Sequence, residues 1–183
     1  MRGLYWIVMT LLLAVVVHIS YVLFVPRAAM GDAMESMEKA AGGRNVFRVL
    51  EGAQAGILTS RPMKYMHYGG CVAEPGNGRV EVSTRSTGGY WSLSIYSPSG
   101  NVIYTLNDRH ADMSDIVVVL RPATEEDGAL ATPRLSEGRL LVPLREKRVL
   151  VVFSAYESHP GMGRRISEIM SASRCRHFPA AAS

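Results

Sequence analysis

Residues 4–25, LYWIVMTLLLAVVVHISYVLFV, contain no Asp, Glu, Lys or Arg. As a helix, this 22-residue run would rise about 33 Å, close to the ~30 Å hydrocarbon thickness of a bilayer. Tyr5 and Trp6 at one end and Tyr21 near the other suit the two lipid–water interfaces. Arg2 and Arg27 bracket the run, and Pro26 is expected to end the helix. The length favours a retained single-pass anchor over residues 1–27. The rival is a cleaved signal peptide, for which Ala29-Met30-Gly31 supplies a small-x-small site. Basic residues flank both ends (Arg2; Arg27, Lys39, Arg44) and do not fix the orientation. A short N-terminal tail before a long body predicts an exported body. His18 lies inside the run, where an ionisable side chain is a candidate helix–helix contact; a tolerated neutral imidazole is the plain alternative.

The remainder of the 183 residues is long enough for one packed core. Hydrophobic content of 48% and charged content of 20% exclude a disordered chain. The net charge of +4 is spread along the sequence rather than concentrated. No basic run is interleaved with stacking aromatics, so nucleic acid is not an expected partner. A solvated surface beside anionic headgroups accounts for the excess.

Residues 28–54 are expected to form a juxtamembrane helix over 32–41, stopped by Gly42-Gly43, and then a linker around one short strand. From residue 55 to 177 strand signals dominate. GILTS and PMKYMHYGGCV are strand-like, the second ending at a Gly-Gly bend. RVEVSTRS alternates strictly. In YWSLSIYS, Trp91, Leu93 and Ile95 face one side and Tyr90, Ser92, Ser94 and Tyr96 the other, with the serines exposed. SPSGN turns the chain back into VIYTLND, a β-hairpin. DIVVVLRP and RVLVVFSAY are continuous apolar runs, the mark of strands covered on both faces. RLLVPL is a third strand, which Pro143 pushes towards an edge. PATEEDGALATPRLSEG reads as a long exposed loop. A helix is expected near 161–174, before a tail over 178–183. The fold class that follows is mostly β: a small β-sandwich or half-barrel with a C-terminal helix, behind a single N-terminal transmembrane helix.

Candidate sites are few. Asn107-Asp108-Arg109-His110 ends the hairpin. Asp108 or His110 could serve as a general base with Arg109 holding an anion. The competing explanation is that Asn and Asp end strands by bonding their own backbone, and no nucleophile or cradle accompanies them. His67, His110, Asp112 and His159 lack the spacing of a ligand motif, so no metal and no cofactor is expected. SPSGN is a hairpin turn rather than a nucleophile elbow. Cys71 and Cys175 form no C-x-x-C pair; they are one disulfide in an exported body or two buried thiols.

Five features together resemble a bacterial family, domain of unknown function twelve fifty-four, in its small membrane-anchored form. They are the anchor ending HISYVLFVPR, the following FRVL, Cys71 before a strand, GGYWSLSIYSPSGNVIYTLNDR, and a final strand, helix and Cys175. The resemblance implies a mostly-β domain in the periplasm of proteobacteria, held at the inner membrane and often encoded beside an anchored companion domain. It also implies a Cys71–Cys175 bridge. It implies no activity and no catalytic residues. The expected role is therefore binding of an envelope partner, the companion domain or a second copy. The alternative is an envelope hydrolase or ligand-modifying enzyme using Asp108 and His110.

Overall fold

The computed structural model describes residues 2–59, 61–109, 114–128, 132–136 and 138–180. Ten strands form two five-stranded sheets. The first sheet, in the order β1-β2-β9-β4-β5, joins Arg48–Leu50, Met66–Ala73, Val149–Tyr156, Trp91–Tyr96 and Val102–Asn107. The second, in the order β10-β3-β6-β8-β7, joins Arg174–Phe178, Arg79–Arg85, Asp115–Pro122, Arg139–Leu144 and Arg134–Ser136. All pairings are antiparallel except β6 with β8. The expected β-rich fold with a terminal helix is the observed one, as a sandwich rather than a half-barrel.

Alternation builds the core. Trp91, Leu93 and Ile95 of β4 and Val151 and Phe153 of β9 meet Val80, Val82, Val118, Leu120 and Val142 of the second sheet in one buried cluster. Trp91 and Phe153 stack with ring centroids 6.2 Å apart. Helix α2 (Met162–Ala172) contributes Met162, Ile166 and Met170 to the same cluster.

The long helix α1 spans Arg2–Ala41, and Pro26 lies inside it. This corrects the expected stop at Pro26 and the separate short helix after it. An interior proline costs about 3 kcal/mol. The fully buried Met34 and Met37 offset it, at roughly 1.5–3 kcal/mol each. They pack with Leu50, Tyr68, Val72 and Leu150 on the outer face of the first sheet, a second core that the helix itself creates. Arg27 also bonds the Leu23 carbonyl at 2.6 Å, one turn back.

The route of α1 across the sheet can be followed. Met34 and Met37 share a cluster with β1, β2 and β9. Met30 and Ala33 line a groove with Ser92, Ser94 and Tyr96 of β4. Pro26 abuts Gly100 in the β4–β5 turn: a Cβ there would lie 3.6 Å from the proline carbonyl oxygen. From Met37 to Pro26 the helix covers roughly 16 Å. The three steps from β2 to β5 cover about 14 Å at about 4.8 Å each. The helix is thus long enough to reach from β2 to the β4–β5 turn, where it leaves the domain.

Other local expectations change with tertiary context. GILTS is not a strand; residues Gly52–Ile57 form a 3-10 helix whose Ala55 joins the second core. Gly69-Gly70 is not a bend, because β2 runs straight through it. A Cβ on Gly70 would run into the Val151 carbonyl oxygen, so the glycine serves close strand approach. Ser94 is not exposed: α1 covers that face, leaving Ser94 at 9% exposure, with a hydrogen bond to Thr105 at 3.1 Å. β8 is not an edge strand, but β7 pairs it only at 139–141, so Pro143 sits where that side has no partner. The loop over 122–138 contains β7. The terminal helix stops at Ala172, and the chain then adds β10 alongside β3.

Candidate functional site

The hairpin end lies at one end of the sandwich. Asp108 follows β5, and its amide donates to the Trp91 carbonyl at 3.3 Å. The Asn107 side-chain oxygen accepts the Arg109 amide at 3.1 Å, the local turn that an Asn at a strand end favours. Asn107 thus ends the strand, and Asp108 and Arg109 take part through their backbone amides. His110 and Asp112 lie outside the described residues. Asp108 also lines an open cleft of about 930 Å³ with Arg85, Tyr90, Asp115, Arg165 and Glu168. The ends of β3, β4, β5 and β6 and one face of α2 form its walls. Arg85 and Asp115 pair at 3.1 Å, both exposed. Two guanidiniums and three carboxylates in one open cleft suit a polar ligand carrying both signs of charge, such as a peptide segment.

Cys71 on β2 and Cys175 on β10 form a disulfide with Cα atoms 6.6 Å apart. Each strand belongs to a different sheet, so the bridge crosses the sandwich interior. Cys175 arrives by a strand, not by the helix end. His177 in the same strand bonds the Pro75 carbonyl at 2.8 Å.

Sequence reading missed two pairs. His67 Nε2 and Glu157 Oε2 lie 3.3 Å apart in a cleft of about 410 Å³ that Ser167 also lines. Their 90-residue separation hides them; only the β2–β9 register brings them together. Glu157 also sits against Gly163 in the first turn of α2, which has no acidic residue of its own. A carboxylate there complements the positive end of the helix dipole. The second pair is Arg121–Asp127, bidentate at 2.6 and 2.8 Å. Thr124 donates to Asp127 from its amide and its hydroxyl.

The Arg121 hydrogen bond, then the Thr124 amide, hold the Asp127 carboxyl well below its ordinary 3.8. A depressed folded-state value means that the stabilisation is complete above about pH 4 and is lost as pH falls through the folded value. Amide-exchange protection of residues 121–128 is therefore expected to fall on acidification below pH about 4. Asp127→Asn should show the lower protection already at neutral pH. Identical protection profiles for the two chains would refute the assignment.

The remaining candidates are dispersed. His18 lies in the part of α1 that makes no buried contact with the domain. His159 bonds its neighbour's carbonyl. Among the described residues, no group of three or more His, Cys, Asp or Glu is placed to hold a metal ion. Tyr90 is exposed at the cleft and Trp91 is buried. One stretch of α1, near the N-terminus, is long and apolar enough to cross a membrane.

No family model and no curated protein matches the chain. Several solved structures are similar, two of them as follows. One is the VPA0106 protein from Vibrio parahaemolyticus, with TM-score 0.48 and 9% identity over 86% of this chain and 41% of that one. The other is an uncharacterised protein from Burkholderia cenocepacia, with TM-score 0.48 and 13% identity over 90% of this chain and 43% of that one. The chain thus spans less than half the length of either protein.

Proposed function

We propose that this chain is a single-pass protein of the bacterial inner membrane whose sandwich lies in the periplasm and binds an envelope partner. The partner is the anchored companion domain that goes with the resembling family. The observation that carries the reading is the unbroken α1, which joins an apolar segment of membrane-spanning length to a docked domain. Such a domain is presented at a fixed height and angle, which suits recognition of another membrane-held protein. The disulfide supports an oxidising compartment. The cleft beside Asp108, with its mixed charges, supplies a surface for a polar segment of that partner.

The second reading, an envelope hydrolase or ligand-modifying enzyme using Asp108, has in its favour only that this carboxylate lines the cleft.

A phosphatase reporter that folds only outside the cytoplasm, fused after Ser183, should be active. Detergent-solubilised wild-type chain should then co-purify with a second single-pass protein. Arg165→Glu, which reverses one cleft charge, should release that protein while leaving thermal unfolding unchanged. An inactive reporter would overturn the localisation, and retention of the partner by the variant would overturn the cleft as the binding surface. Turnover of an ester or amide substrate by the purified chain, lost in Asp108→Asn, would favour the enzyme.

A further inference from the structure

We infer that the β4–β5 turn and the edge strand β5 rest on the phospholipid surface, so that the domain has a lipid-binding face besides its anchor. The inference builds on reading residues 4–25 as a bilayer span. Because Pro26, next to the end of the apolar run, abuts Gly100, the β4–β5 turn is the first part of the domain to meet the membrane. The helix is uncovered up to Ala29 and docked from Met30. Five residues separate Val25, where the apolar run ends, from Met30, a rise of about 7.5 Å. The headgroup layer on each side of a bilayer is about 5–7 Å deep. The β4–β5 turn and the start of β5 therefore lie within that layer.

The chemistry of this edge agrees. Edge strands are commonly guarded by charges against unwanted pairing. The other three edges carry arginine: Arg48 on β1, Arg134 on β7, and Arg174 and Arg176 on β10. β5 carries none, and no charged residue occurs anywhere from Ser86 to Asn107. Val102 is 57% exposed beside the turn that touches Pro26. Tyr104 is partly buried in the same strand, a residue type favoured at lipid interfaces. Exposed Arg27 follows the proline that touches the turn and is suited to a lipid phosphate. A bilayer covering the edge explains why no charge guards it. A strand from another chain would have to fit into the same shallow layer.

The test uses the full chain with a photoreactive benzophenone side chain at Val102, in vesicles of phosphatidylethanolamine and phosphatidylglycerol. Parallel chains carry the probe at Asn101 in the turn, at Arg176 on the β10 edge, and at Val16 in the span. The expected result is phospholipid adducts at positions 16, 101 and 102, with yields at 101 and 102 several times that at 176. Lipid adducts at 16 but none above the level of 176 at 101 and 102 would overturn the lipid-facing edge and leave the span standing. Chain-to-chain adducts at 102 would overturn it in favour of strand pairing. Absence of adducts at 16 as well would overturn the span reading and this inference with it.

Discussion

Cys71→Ala and Cys175→Ala are each expected to lower the stability of the β domain by about 4–5 kcal/mol, the chain-entropy effect of opening a loop of about 100 residues. The two residues are 104 positions apart, so most of the sandwich lies inside the loop they close. Both substitutions break the same bond, so the double variant should lose no more than either single one. Urea unfolding of the detergent-solubilised chain, with and without reductant, measures this. Two free thiols in unreduced, denatured protein would refute the bridge and weaken the proposed export of the domain. Domains retain only about 5–15 kcal/mol in all, so this one bond would carry roughly a quarter or more of a domain's net stability.

Leu93→Ala is the substitution of next largest effect, with an expected loss of about 2–5 kcal/mol. Leu93 is fully buried in the interior strand β4, between β5 and β9. Its neighbour Ser94 points to the face under α1 and shares a hydrogen bond with Thr105. Ser94→Ala should therefore cost about 0.5–1.5 kcal/mol, the ordinary worth of one hydrogen bond, rather than the near-zero cost of a solvent-facing serine. Denaturant midpoints for the two variants decide the matter. Equal losses would mean that the two faces of β4 had been confused.

That serine marks where sequence reading succeeds and where it stops. Alternation in YWSLSIYS assigns the two faces of β4 correctly, because a strand's side-chain period is a local property. It cannot say that the second face is covered as well. The covering element is a helix some sixty residues earlier, which reads as ending at Pro26 when taken alone. The apolar runs of β6 and β9 were legible as strands through their β-branched residues. β10 was not: RCRHF shows no apolar alternation and becomes a strand only because β3 offers it an edge. The same limit governs the sites. Asn107 was legible as a strand-ending residue. His67 and Glu157 meet through pairing register, which no short motif records.

The bridge also decides how force would travel through this molecule. β2, which packs beneath α1, is also the strand that carries Cys71. A pull or twist on α1 enters the domain at the β4–β5 turn and, further along the helix, at β2. From there it passes through a covalent bond to β10 and the opposite sheet. On the β2 side the two sheets cannot be peeled apart without breaking that bond. Torque on α1 is delivered to both sheets together, so any protein that rotates this helix also turns the cleft beside Asp108.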